Sequence, residues 1–348
     1  MNDAPRISIL LPARNAEACI EEALRSLSGQ TIADWECIVV DDASSDRTPA
    51  AIAQWAAADP RFRSIRLRSH RGIVFALNRA AEKARAPCLA RQDADDRSLP
   101  ERLARSLALL ESDARLGAVA TGVRFVPAPQ PGSGWEAYAC WLNAARSAEE
   151  IEREIWIESP LPHPAVIMRR KAFDQAGGYR EVPWPEDYDL WLRMRAKKWR
   201  FAKTPEILYE WALHEERLTL TDSRYLPAEF LACKLHHLRM RLRKRPVFIW
   251  GAGRDGRRLA RALIARRIDL RGFIDIDPRK IGRARLGKPV IGADDALGSL
   301  RPPDALDGLR PGDALVLVAV GTRGARELIR ARLAGKGWRE PEDFLCLH

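Results

Sequence analysis

Residues 90–100 read ARQDADDRSLP and set Asp93, Asp95 and Asp96 between a short apolar run and a helical pattern. Carboxylates this close repel one another, and a chain tolerates the repulsion where a divalent cation or a solvated turn offsets it. Asp-rich turns are common on surfaces, so the triplet acquires meaning only from its surroundings. Cys88–Arg91, just upstream, has the character of a buried strand. The triplet therefore stands beyond the carboxyl end of a strand, where open α/β sheets bind ligands.

Upstream, Ile7–Leu11 is another buried-strand run, broken by turn chemistry from Pro12 to Asn15. Ile20, Ala23, Leu24 and Leu27 then mark one face of a helix that stops near Gly29. Cys37–Val40 forms the next strand, stopped by Asp41 and Asp42. Continuous apolar strands alternating with helices imply parallel pairing in a doubly wound α/β sheet. The same alternation continues with a helix over 45–58, a strand over 65–67, and Gly72 leading a helix to Ala84. Asn15, Asp41, Asp42, Gly72, Asp93 and Asp95 all fall after strands of one sheet, so they are expected on one rim.

Downstream, the pattern predicts a helix over 100–110, a strand over 118–126, a Pro/Gly loop, and a Trp-bearing helical stretch over 135–157. A strand over 163–168 and a helix over 171–178 follow. A loop then carries Trp184, Pro185, Glu186 and Asp187 into a helix over 188–198.

The 348 residues suffice for two separately cored domains, and a net charge of +11 favours anionic partners. Arg is interleaved with Asp and Glu throughout, so nucleic acid is expected to bind only weakly and non-specifically. The six cysteines show no metal-type spacing, and no apolar run has the length of a membrane span. The expected location is the cytoplasm. A helical pattern over 227–245 ends in the basic run KLHHLRMRLRKR (234–245), where cations suit a helix C-terminus and also an anionic membrane face. After Pro246 a new strand, glycine turn and helix begin. Gly251, Gly253 and Gly256 follow the strand and Asp275 closes the next one, the context of a Rossmann-type fingerprint for a nucleotide, a nucleotide sugar or NAD(P). The expected domains are 1–226, a basic helical linker over 227–245, and a smaller Rossmann-like nucleotide-binding domain over 246–348.

Six segments occur in the order ISILLPARN (7–15), CIVVDDASSDRT (37–48), HRGIVFALNRA (70–80), QDADD (92–96), HPAVIMRR (163–170) and PEDYDLWLR (185–193). Together they resemble the inverting GT-A glycosyltransferases of family 2, over about residues 5–220. The resemblance implies transfer of a sugar from a nucleoside diphosphate to the hydroxyl of a saccharide or lipid-linked saccharide, with Mg²⁺ or Mn²⁺ offsetting the charge of the leaving diphosphate. It implies a bacterial surface polysaccharide or glycolipid setting. By the same resemblance Asp95 is the direct metal ligand, Asp93 lies near ribose or metal, and His214 returns to the metal or diphosphate. Asp42, supported by Asp41, holds the base, while Pro12, Asn15 and Gly72 line the nucleotide. Asp187 resembles the general base, with Glu186 the competing candidate. His163 is matched to the donor or acceptor pocket, and Arg193 to support of the base or to phosphate.

GFIDIDPRKIGR (272–283) and GKPVIG (287–292) resemble the nucleotide-sugar-binding N-terminal domain of bacterial sugar acyltransferases. Asp255 stands where that family often has His, and no acyltransferase repeat follows. Two other classes compete with glycosyl transfer. Nucleotidyl transfer would need a basic glycine-rich loop after the first strand, where this chain has LPARNAEA (11–18). A non-catalytic nucleotide-sugar sensor would bind without turnover.

Overall fold

The computed structural model describes residues 4–297, 309–322 and 324–348. They form two compact units: the first runs to Ile151 and resumes over Ser159–Glu229, and the second holds Glu152–Glu158 and continues from Phe230. Among the described residues no helix is long and apolar enough to cross a membrane.

In chain order, the elements up to the second unit are β1 (Ile7–Ala13), α1 (Ile20–Ser28), β2 (Trp35–Asp41), α2 (Thr48–Ala58), β3 (Phe62–Arg66), α3 (Ile73–Lys83), β4 (Cys88–Arg91), β5 (Arg97–Ser98) and α4 (Arg102–Ser112). They continue with β6 (Leu116–Val126), α5 (Gly134–Ala144), α6 (Ala148–Glu154), β7 (Val166–Arg169), α7 (Arg170–Ala176), α8 (Glu186–Ala196), β8 (Arg200–Ala212) and α9 (Leu218–Thr221). Eight strands form one sheet in the order β3-β2-β1-β4-β7-β6-β8-β5. The first four of that order are parallel, whereas β7 runs antiparallel to both β4 and β6. Ala13 pairs with Asp41 and Leu10 with Arg91, so β1, β2 and β4 end on one edge and deliver Asn15, Asp42 and Asp93 there.

Both sheet faces are covered, which explains why the strands read as unbroken apolar runs. Ile7, Ile9 and Leu11 share a core with Trp35, Cys37 and Val39, and with Leu24 and Leu27 of α1 and Leu103 and Leu107 of α4. α3 packs against β1 and β2. β3 begins three residues earlier than its apolar pattern suggests, because Phe62 is drawn into the core edge-on to Trp35 and Trp55. The helical stretch expected over 135–157 splits into α5 and α6. Ser147 and Glu150 start the new helix with reciprocal side-chain to backbone bonds of the capping-box type. His163–Ala165 is a single 3-10 turn ahead of β7 rather than part of the strand. α8 starts at Glu186, so Glu186 and Asp187 occupy its first turn and not the preceding loop.

The second unit contains α10 (Pro227–Leu242) from Phe230 onward, β9 (Val247–Trp250), α11 (Arg254–Ala265), β10 (Leu270–Asp275), β11 (Ala284–Arg285), β12 (Lys288–Gly292), α12 (Ala293–Ala296), β13 (Leu315–Val318), α13 (Ala325–Ala334) and β14 (Phe344–Cys346). Its sheet order is β11-β12-β10-β9-β13-β14, parallel except for the β11–β12 hairpin. Phe248, Trp250, Ile274, Val316, Val318, Phe344 and Trp338 form its core. α10 buries Cys233, Leu235, Leu238 and Leu242 and leaves Arg239, Met240, Arg243 and Lys244 exposed around its end.

Candidate active site

Beyond β4 the chain turns around a buried polar network. The Gln92 amide donates to the carbonyls of Asp93 and Asp96, at 3.0 and 2.9 Å, and its oxygen accepts from Ser98 and Arg102. Arg91 and Arg102 are both fully buried. Arg91 donates to the Asp93 carboxylate and to the Gln92 carbonyl, and Arg102 donates to the Arg91 carbonyl at 2.7 Å. Two buried guanidinium groups thus fix a loop that carries three carboxylates, one oxygen of each lying within 4.8 Å of the others.

The three aspartates have different surroundings. Asp96 is buried, and both its oxygens already accept, from the Tyr209 hydroxyl at 2.9 Å and the Ala212 amide at 2.8 Å. Tyr209 also accepts from the Asp93 amide at 3.3 Å. Burial, then repulsion from Asp93 and Asp95, holds the Asp96 carboxyl well above the carboxylate range. Burial raises Asp93 as well, against the pull of Arg91. Asp95 points elsewhere: its Oδ2 meets His214 Nε2 at 2.8 Å across 119 residues of chain. The donor chemistry fits a divalent cation. Carboxylate oxygens of the three aspartates converge, an imidazole meets Asp95 from beside them, and a positive ion would relieve the mutual repulsion that burial amplifies. Asp95, Asp93 and His214 have capacity for it, whereas Asp96 serves to anchor the loop.

Along the rim, Asp42 is enclosed by the segment from His70 to Gly72. Its oxygens accept the Arg71 and Gly72 amides at 2.7 and 2.8 Å, and His70 Nδ1 lies 2.8 Å away. Gly72 has φ +83°, a backbone that brings its amide onto Asp42 and that a side chain would strain. Asp41 accepts the Ser44 amide and sits 3.3 Å from Arg66 Nε. Asn15 adopts φ +47°, and its side-chain oxygen accepts the Ser45 amide at 2.9 Å. Pro12 lies within β1 opposite Val40. These residues are brought together, and the rim carboxylates are held by backbone amides.

Glu186 and Asp187 differ sharply. Glu186 is completely buried and accepts the Tyr225 hydroxyl with both oxygens, at 3.1 and 2.9 Å. Asp187 is half-buried. Burial pushes the Tyr179 hydroxyl up, against the opposing pull of Arg91. His163 Nε2 lies 2.7 Å from that hydroxyl, and burial together with Arg91 holds the imidazole well below its usual value, hence neutral. Arg193 is turned inward: its Nε donates to Asp189 at 2.7 Å and it also donates to the Ala176 carbonyl.

Sequence reasoning did not single out Gln92, Arg91, Arg102, Tyr209 or Arg217. Tyr209 reaches the site because β8 pairs with β6 and β5, a tertiary fact with no local signal beyond its place five residues before His214. In the second unit, Gly251 has φ +112°. Asp275 accepts from the Ala252 amide at 2.8 Å and from Lys280 Nζ at 3.1 Å. Gly253 precedes α11, and a Cβ at Gly256 would meet the Gly251 carbonyl oxygen at 1.7 Å. The turn after β9 is therefore packed tightly against the start of α11 and bonded through Ala252 to Asp275 at the end of β10.

Residues 8–177 match the family model described as glycosyl transferase family 2. The chain is 30% identical over 226 residues to EpsE of Bacillus subtilis, a protein named for glycosyl transfer, which covers 60% of this chain and 74% of EpsE. It is 28% identical over 204 residues to the amylovoran biosynthesis glycosyltransferase AmsE of Erwinia amylovora, covering 58% and 74%. Among solved structures, S. aureus TarS 1-349 in complex with UDP-GlcNAc aligns with a TM-score of 0.55 and 18% identity, over 67% of this chain and 66% of that one. The mannosyltransferase PcManGT from Pyrobaculum calidifontis, in complex with GDP-Man and Mn²⁺, aligns at 0.52 and 22%, over 69% and 65%. At these identities the structural likeness is one of fold. The fold is GT-A, and the class of protein it carries here is a glycosyltransferase. The chain belongs to glycosyl transferase family 2.

Proposed function

We propose that the chain is a metal-dependent, inverting glycosyltransferase that moves a hexosyl or hexosaminyl group from a nucleoside-diphosphate sugar to an acceptor hydroxyl. The observation that carries the reading is the cluster of Asp93, Asp95 and Asp96 with His214 2.8 Å from Asp95. Asp95, Asp93 and His214 would hold Mg²⁺ or Mn²⁺. When bound, such a cation supplies positive charge against the departing diphosphate. Asp187 takes the acceptor's hydroxyl proton as the oxygen attacks the anomeric carbon from the face opposite the leaving group, which inverts that centre. Glu186, buried on Tyr225, orients the first turn of α8 and so positions Asp187. Asp41, Asp42, Asn15, Pro12 and Gly72 form the nucleotide end. His163, neutral and bonded to Tyr179, would line the donor or acceptor pocket, and Arg193 braces α8 through Asp189.

The setting we propose is bacterial surface polysaccharide or glycolipid assembly, supported by a relative named for amylovoran biosynthesis. The proposed transferase domain spans 1–226, with the helical segment 227–245 leading to a Rossmann-like nucleotide-binding module over 246–348. Gly251, Gly253, Gly256 and Asp275 would take a nucleotide, a nucleotide sugar or NAD(P) there. The proposed location is cytoplasmic, with the exposed Arg239, Arg243 and Lys244 touching the inner membrane face. The test is donor turnover with panels of UDP- and GDP-sugars in Mn²⁺. Mn²⁺-dependent turnover that disappears in Asp95→Ala is the expected result, and wild-type rates in that variant would overturn the metal assignment.

A further inference from the structure

We propose that Arg217 is a leaving-group contact, its guanidinium binding the diphosphate oxygens of the donor beside the Asp93–Asp95–His214 cluster. The inference rests on reading that cluster as the donor-phosphate site.

Three residues past His214, the Arg217 amide bonds back to the His214 carbonyl at 3.4 Å, and the side chain turns inward. Arg217 is only 6% exposed. Its guanidinium carbon lies 4.5 Å from the ring centre of Trp211, 5.6 Å from that of Phe125 and 5.7 Å from that of Trp135. Aromatic faces can hold a cation but accept no strong hydrogen bond from it. No nitrogen of this side chain bonds to any described residue, and Nη1 is buried without a partner.

The contrast with the neighbouring buried arginines is informative. Arg91 and Arg102 direct their terminal nitrogens at carbonyl, amide, hydroxyl and carboxylate oxygens of the protein. Arg217 does not, although it packs on Trp211, whose neighbour Ala212 donates its amide to Asp96 at 2.8 Å. A buried donor left unbonded is costly, and a guanidinium fork packed against aromatic rings is suited to paired phosphate oxygens. A diphosphate beside the three carboxylates supplies those oxygens. As the bond between the anomeric carbon and the diphosphate oxygen breaks, its electron pair stays on that oxygen. Arg217 stabilises the added charge and keeps its protons.

The experiment is calorimetric titration of the full-length chain with inorganic pyrophosphate at fixed Mn²⁺, for wild type, Arg217→Gln, Arg217→Lys and Asp95→Ala. Wild type is expected to bind and Asp95→Ala to lose binding. Arg217→Gln is expected to weaken it by roughly 10- to 100-fold, the range for a charge-assisted bond, with Arg217→Lys in between. Titration of Mn²⁺ alone should be the same in wild type and both Arg217 variants, which a merely structural role would not produce. Wild-type pyrophosphate affinity in Arg217→Gln overturns the inference and leaves the metal-site reading intact. Absence of Mn²⁺-dependent pyrophosphate binding in wild type overturns both. Should Gln unfold the loop, Arg217→Met keeps the apolar stem beside Trp211 and gives the same comparison.

Discussion

Glu186 and Asp187 are adjacent in sequence and opposite in environment, and the difference assigns them different work. A general base must be reached by the acceptor's hydroxyl and returned to water, which the half-buried Asp187 permits and the sealed Glu186 does not. Asp187→Asn is expected to lower kcat by about 10²- to 10⁴-fold with little change in thermal midpoint. A near wild-type kcat would remove Asp187 from the role. Glu186 leaves a different signature. Burial, outweighing its bonds and the Arg224 charge, raises its carboxyl above the ordinary 4.5. The native protein therefore keeps this proton where the unfolded chain has lost it. Its contribution to stability is present below pH 4.5 and is lost as pH climbs through the raised native value. In Glu186→Gln that decline is absent, so urea unfolding at pH 5 to 8 should show the variant gaining on wild type as pH rises. Parallel curves would contradict this. Tyr209 is the third such case, because its hydroxyl bridges Asp96 and the Asp93 amide. Tyr209→Phe should cost about 1–3 kcal/mol in chemical denaturation and lower kcat as the aspartate loop loosens.

At the scale of elements, the sheet edge was largely legible because parallel strands buried on both faces are written as unbroken apolar runs. The strand expected after Pro246 is β9, and Cys88–Arg91 coincides with β4. The antiparallel half was less legible. β8 mixes Lys203, Thr204, Pro205 and Glu206 into its length, and its identity as a strand comes from β6 beside it. β5 is two residues long and exists only as a partner of β8. The carboxylates of the site could be named from their order along the chain. The groups that hold them, Gln92, Arg102 and Tyr209, could not, since each acts through a contact made by the folded sheet. In the second unit the glycines were readable, and their geometry makes a further prediction. A methyl at Gly256 would strike the backbone oxygen of Gly251, which cannot swing aside as a side chain can. Gly256→Ala should therefore destabilise by about 1–3 kcal/mol or more, the usual cost of overpacking, while Mn²⁺ binding at Asp95 is retained. Denaturation paired with Mn²⁺ titration checks both halves.

Among the described residues each unit has its own apolar core, one around Ile9, Val39 and Leu103 and the other around Trp250, Val316 and Phe344, with a smaller cluster of Val123, Leu142, Ala165 and Tyr209 in the first unit. Each unit has its own mainly parallel sheet. Units that share no strands unfold as separate cooperative transitions, so calorimetry of the full chain should resolve two of them. A ligand stabilises only the unit it binds, by an amount that grows with its occupancy, about 2.7 kcal/mol at a hundred times its Kd. UDP- and GDP-sugars with Mn²⁺ should therefore raise one transition and leave the other in place, and Asp95→Ala should abolish that rise. Gly256→Ala marks the second transition by lowering it alone, which makes the assignment of each transition independent of any ligand. If the donor's shift survives Asp95→Ala and falls instead on the transition that Gly256→Ala moves, then the donor is read by the glycine loop of the second unit. The aspartate cluster would then require a different substrate. A shift confined to the first transition ties donor recognition to the same sheet edge that carries Asp42, Asp95 and Asp187.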